Sequence, residues 1–103
     1  MEKVSVVIPV YGQWNLVERN INQLLRYEGE NIKEIIVVDD CSRDKNPYIF
    51  DDSIVMIIRN PENLGYTATV NKGLRMATSD IILLLDSDAC PIESFIKSVT
   101  FPA

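Results

Sequence analysis

The sequence predicts an α/β fold of three layers, a mostly parallel sheet with helices on both faces. Three observations carry this. Four short segments rich in Val, Ile and Leu recur along the 103 residues, and near-continuous apolar runs suit strands buried on both faces. Stretches with helical spacing follow the first, third and fourth of these segments. The resulting order is strand, helix, strand, short link, strand, helix, strand, helix, which is how crossover units build a parallel sheet. Right-handed crossovers restrict the topology strongly, and the expected strand order is 3-2-1-4.

The first strand is Val4–Val10, apolar and β-branched, expected to stop at Pro9 because proline donates no ladder bond. Tyr11-Gly12-Gln13 makes the turn. Trp14, Val17, Ile21, Leu24 and Leu25 recur at helical spacing. Asn15 with Glu18 suggests a capping box, and Gly29 a helix stop. Glu34–Val38 is the second strand, closing on Asp39-Asp40-Cys41-Ser42. The polar segment from Arg43 to Asp52, with Pro47, reads as a loop holding at most a short helical turn. Ser53–Ile58 is the third strand and Arg59 to Gly65 a loop. Tyr66–Ala77 is the next helix, with Ala68, Val70, Leu74 and Ala77 expected inside. Ile81–Leu85 is the fourth strand. Pro91 suits the first turn of a last helix with Ile92, Phe95, Ile96 and Val99 as its apolar stripe.

Bulk properties describe one small domain, residues 1–103, large enough for a modest core. The chain is 47% apolar and 24% charged, as in ordinary soluble proteins. Ten basic residues against fifteen acidic ones leave a net charge of −5. That argues against nucleic acid or an anionic membrane as a partner. No apolar run exceeds five residues, too short to span a membrane. Met1-Glu2-Lys3 leads into a strand pattern and not into a signal peptide. Cys41 and Cys90, without any His, make neither a disulfide framework nor a zinc site. A reducing, cytoplasmic setting is the default expectation. With strand one between strands two and four, the two cysteines stand about 9.5 Å apart. A bridge needs Cα atoms within about 7 Å, so free thiols are expected.

Chemistry collects at the strand ends. Tyr11 follows strand one, Asp39 and Asp40 follow strand two, and Asp86 and Asp88 follow strand four. Parallel strands bring these ends to one edge, where open α/β sheets bind ligands. The spacing Asp86-Ser87-Asp88 turns both carboxylates to one side, with Ser87 facing away. Converging anions with no Lys or Arg within three residues suit a hard cation, Mn²⁺ or Mg²⁺. The same pair also reads as a strand terminator and a helix cap before Pro91. No G-x-G-x-x-G follows the first strand and no G-x-x-x-x-G-K-[ST] occurs. A cation held by few carboxylates commonly shares a diphosphate. Tyr11 is placed to stack on a base and Asp40 to accept from a base or ribose. A nucleoside diphosphate bridged to the protein by metal is the ligand these residues suggest.

Four motifs in order support a family resemblance: Val4-Ser5-Val6-Val7-Ile8-Pro9-Val10-Tyr11; Ile36-Val37-Val38-Asp39-Asp40-Cys41-Ser42; Asn63-Leu64-Gly65 with Asn71-Lys72-Gly73; and Leu84-Leu85-Asp86-Ser87-Asp88. From about Lys3 to Phe101 the chain resembles the amino-terminal half of family 2 glycosyltransferases of the Rossmann-like GT-A fold. The resemblance implies a nucleotide-sugar donor of the UDP or GDP type, a divalent metal and inverting transfer to an acceptor hydroxyl. It implies that Pro9, Val10 and Tyr11 wall the nucleoside pocket and Asp40 holds the base, while Asp39 braces the turn. Gly65 lets backbone approach the ligand; Asn71 and Lys72 lie near ribose or phosphate. Asp86, with Ser87, sits by the ribose or metal, and Asp88 is the more direct metal ligand. Val70 stands where the family often has Arg, which weakens a cationic phosphate clamp. The acceptor half and the catalytic base lie downstream in full-length relatives, so no catalytic residue is assigned.

Two other readings compete. One is a truncated, non-catalytic module that binds nucleotide or pairs with other subunits, since a missing acceptor half exposes apolar surface and favours homo-oligomers. The other is a phosphatase-like hydrolase with Asp86 as nucleophile. Its later Ser/Thr, Lys and acidic motifs have little room in the 15 residues after Asp88.

Overall fold

The computed structural model describes residues 2–86 and the backbone of 101–102. Ser87, Asp88, Cys90 and the helix expected from Pro91 lie outside the described residues. Strand β1 (Val4–Val10) is followed by α1 (Trp14–Glu28), a 3₁₀ turn (Gly29–Asn31) and β2 (Ile32–Asp39). Then come β3 (Val55–Arg59), α2 (Tyr66–Met76), β4 (Ile81–Leu84) and a two-residue strand β5 (Phe101–Pro102). The sheet order is β3-β2-β1-β4-β5. The four longer strands are parallel in the expected order, and β5 adds an antiparallel edge against Ile81 and Ile82. Two residues offer no periodicity to read, so β5 was not foreseen.

Strand β1 is central, and all seven of its residues are buried. Alternate residues serve two layers, because side chains alternate across a strand. Val4, Val6, Ile8 and Val10 join Ile35, Val37 and Leu83 in one core with Trp14, Val17, Ile21 and Leu24 of α1. Burying each such aliphatic side chain contributes about 1.5–3 kcal/mol relative to exposure. Val7 faces the other layer, where α2 rests on it.

The start of α1 differs from the expected capping box. The chain enters through Gly12 (φ 73°) and Gln13 (φ 55°), both left-handed, and Gln13 is the cap residue without a side-chain cap bond. Its carbonyl accepts from Leu16 N and Val17 N, so Asn15 already lies inside the helix. Trp14 Nε1 donates to Asp44 O at 3.0 Å and ties the helix start to the loop after β2. That loop holds no regular helix.

The inner face of α2 also differs. Thr69, Val70 and Gly73 are buried, whereas Ala68 and Leu74 are exposed. Residue size explains the change of phase. A Cβ on Gly73 would lie 2.4 Å from Val7 Cγ1 and 3.3 Å from Val38 Cγ2. The helix backbone therefore rests almost directly on the sheet at Gly73, and bulky Leu74 is turned outward.

At the amino edge of the sheet, Glu34 Oε2 accepts from Ser5 Oγ (2.6 Å), Thr78 N (2.7 Å) and Thr78 Oγ1 (2.7 Å). Burial opposes the charge on Glu34, but these bonds and nearby Lys33 hold its carboxyl below the ordinary value. The junction into β4 is thereby tied to β1 and β2.

Gly73→Ala is expected to destabilise the fold by about 1–3 kcal/mol through overpacking, although alanine is the better helix former by about 1 kcal/mol. Urea denaturation checks this; a stabilised variant would mean that α2 does not sit against Val7.

Candidate functional site

The carboxyl ends of the parallel strands form one edge, and the sheet splits there. Between β1 and β2 the pairing runs to Val10 and Asp39, and Asp40 N continues it by donating to Val10 O at 2.8 Å. Between β1 and β4 it stops at Val7 and Leu84, with a last bond from Leu85 N to Val7 O at 2.9 Å. Successive residues of a strand address opposite neighbours, so Pro9, two on from Val7, addresses β4. It has no N–H to give. The strand persists one residue past Pro9, against expectation, because the missing donor lies on the side where pairing has already ended.

A cavity of about 520 Å³ opens at this split. Of the residues expected at the site, Pro9, Val10, Tyr11, Asp40, Gly65 and Asp86 line it together. Gln13, Asn63, Tyr66 and Thr69 complete the lining. Asn71 and Lys72 do not line it. Asn71 is exposed on α2, and the Lys72 ammonium donates to Asn60 Oδ1 at 3.1 Å. The helix phase set by Gly73 carries both away from the lining. Ser87 and Asp88 lie outside the described residues.

Adjacent residues Asp39 and Asp40 point to opposite faces and do different work. Asp39 accepts from Ser42 N at 3.0 Å and from the Ser42 hydroxyl, and pairs with Arg59 at 3.3 Å. Gly12 N in turn donates to Ser42 Oγ at 2.7 Å. Asp39 thus braces the turn, helped by Cys41 at φ 58°, and ties it to the Tyr11 turn. Cys41 is a free thiol.

Asp40 is only 6% exposed. Its Oδ1 accepts from Leu64 N (2.7 Å) and Asn60 Nδ2 (2.9 Å), and its Oδ2 from Gly65 N (2.9 Å). Burial alone would raise its pKa. The Leu64 amide, the Asn60 side chain, the Gly65 amide and the Thr69 hydroxyl outweigh it and hold the carboxyl below its ordinary value. An ionised carboxylate is therefore fixed in the cavity wall.

Gly65 stands at φ 93° and ψ 166°, a conformation that side chains disfavour. An added Cβ would meet nothing within 4 Å, so the requirement is for backbone geometry and not for space. Its carbonyl accepts from Thr69 N and Thr69 Oγ1, which starts α2 at the cavity. The Tyr66 hydroxyl donates to Asp86 Oδ1 at 2.8 Å. That bond first, then burial and the carboxylate's charge, push the phenol above its ordinary value.

Sequence reasoning missed Asn60 and Tyr66. Asn60 is fully buried and joins Asp40, Thr69 and Lys72; its only signal was a polar residue closing an apolar strand. Tyr66 read as the first residue of a helix, with no hint that its side chain turns to the sheet edge. Among the described residues no three of His, Cys, Asp and Glu converge as metal ligands. Asp86 is an exposed hard-oxygen donor on the cavity lining. Such a donor set fits a divalent cation that draws its other ligands from phosphate and water.

A family model described as glycosyl transferase family 2 matches residues 5–101. An uncharacterized glycosyltransferase of Haemophilus influenzae is 37% identical over 93 residues, covering 85% of this chain and 37% of that protein. An undecaprenyl-phosphate 4-deoxy-4-formamido-L-arabinose transferase of Proteus mirabilis is 34% identical, over 85% of this chain and 29% of that protein. Among solved structures, the mannosyltransferase PcManGT from Pyrobaculum calidifontis, in complex with GDP-Man and Mn²⁺, has a TM-score of 0.74 at 26% identity. That match covers 85% of this chain and 28% of the mannosyltransferase. The chain spans about a third of the length of the first curated relatives it matches.

Asp40→Asn places an amide donor against Leu64 N, Gly65 N and Asn60, and is expected to cost about 1–3 kcal/mol, the range for buried polar groups left unpaired. The native pKa lies below the unfolded one, so the charge stabilises the fold above the ordinary value of 3.8 and that contribution fades as pH falls through the native value. Thermal melts across pH should show the gap between wild type and Asp40→Asn narrowing below pH 3.8; a gap that does not change with pH would contradict the ionised network.

Proposed function

The chain belongs to glycosyl transferase family 2, and from that membership we propose that it is the donor-binding half of an enzyme that moves a sugar from a nucleoside diphosphate to an acceptor hydroxyl. The observation that carries this reading is the shared cavity: a fixed ionised Asp40 and an exposed Asp86 line one opening at the split between β1 and β4. In this reading Pro9 and Val10 form the wall of the nucleoside pocket. Tyr11, 54% exposed, offers its ring to the base. Asp40 accepts an N–H of the base. Gly65 brings main chain close to the ligand without a side chain between. Asp86 and Asp88 would hold Mn²⁺ or Mg²⁺. When bound, such an ion neutralises charge on the departing diphosphate.

Transfer with inversion forms a bond from the acceptor oxygen to the anomeric carbon as the bond to phosphate breaks. The acceptor proton passes to a general base, for which no residue of this chain is assigned. The match of PcManGT, solved with GDP-Man and Mn²⁺, supports a nucleotide-sugar donor and a divalent ion here as well. Residues 1–103 are read as a single domain that the acceptor-binding part of a longer protein completes.

Calorimetric titration with UDP and GDP, with and without Mn²⁺, tests this. One of the two should bind about 10-fold or more tightly with Mn²⁺, a difference of about 1.4 kcal/mol, and Asp88→Asn should remove that gain. Absence of binding by both nucleotides in the presence of Mn²⁺ overturns the donor reading.

A second reading, a non-catalytic module that pairs with other subunits, is favoured by the exposed Met56 and Ile57 of β3 and Leu74 and Met76 of α2. Light scattering should then show a concentration-dependent dimer, and glycosyl transfer by this chain alone would eliminate it.

A further inference from the structure

We infer that Tyr66 is a positioning residue for Asp86, orienting that carboxylate toward a cation and so setting the metal dependence of nucleotide binding. The inference rests on the donor-site reading above.

Tyr66 is the first residue of α2, and its place is tightly defined. Gly65 before it is held by Asp40 Oδ2, and the Gly65 carbonyl accepts two bonds from Thr69. From this fixed base the Tyr66 side chain reaches a residue 20 positions later, beyond the end of β4. Both residues line the cavity, so the bond joins the α2 side of the opening to the β4 side. Tyr66 is 57% exposed. An exposed phenol has water for a partner, so nothing in the packing forces it onto protein. The 2.8 Å contact with a carboxylate is a charge-assisted bond, of the stronger kind.

The consequence lies in what the bond leaves open. It engages Asp86 Oδ1, and among the described residues Oδ2 takes no hydrogen bond. One oxygen is held, and among the described residues the other has no such partner. Asp86 lies two residues past the last residue of β4, outside regular structure, where no strand pairing is recorded for it. Without the phenol, each binding event would have to freeze that carboxylate anew. Carboxylates that ligate metals are commonly held by such outer partners, and their loss typically weakens metal affinity 10–100-fold.

The test uses the full chain, as wild type and Tyr66→Phe, which keeps the ring and removes only the hydroxyl. Each is titrated with GDP and with UDP, in the presence and absence of Mn²⁺. The readout is the ratio of the two affinities. In Tyr66→Phe this ratio is expected to fall about 10-fold or more, toward one. A merely structural role would weaken both arms together and leave the ratio as it was; that result, or an unaltered pair of affinities, overturns the inference alone. If wild type shows no Mn²⁺-dependent binding, the donor-site reading falls and this inference with it.

Discussion

A single buried negative charge organises the functional edge. Asp40 lies between the end of β2, the loop after β3 and the start of α2, and it takes donors from the last two at once. Charge-assisted bonds of this kind are worth about 1.5–3 kcal/mol each. Their effect here is geometric as much as energetic. The loop around Asn63 has no regular structure of its own, and the carboxylate gives it one conformation. Gly65 can hold φ 93° because its amide has a fixed partner there. The start of α2, which carries Tyr66 and its bond to Asp86, is held by the same charge.

The opposite requirement, for absence of atoms, operates under α2. Gly73 lets the helix backbone settle on Val7 and Val38. That closeness sets the height of the helix over the sheet. Two neighbouring layers thus use different means: interlocking large side chains under α1, and bare backbone contact under α2.

Much of this was readable in advance. Strand order, the parallel sheet and the clustering of Tyr11, Asp40 and Asp86 follow from apolar runs and the polar residues that close them, while Pro9, Val10 and Gly65 were pointed to by the family resemblance. What was misread has separate physical causes. Hydrophobic periodicity reports the size of side chains, and α2 buries a glycine and a threonine while exposing Leu74. Asn71 and Lys72 were placed near ribose or phosphate by the family resemblance, and neither lines the cavity. The capping box failed for another reason: Gly12 and Gln13 make a left-handed entry that side-chain spacing does not report. Asn60 and Tyr66 were missed because their roles lie in bonds to residues distant in sequence.

Pro9 separates two properties that usually vary together in a binding pocket. Pairing between β1 and β4 has already ended at Val7 and Leu84, and Pro9, with no N–H to give, does not extend it, so the aperture is bounded by main chain. Side chains around the rim, such as Tyr11, bear on which molecule is welcome. A scaffold arranged this way can exchange its guests by swapping rim residues that carry no such bonds, while Asp40 keeps the shape of the doorway.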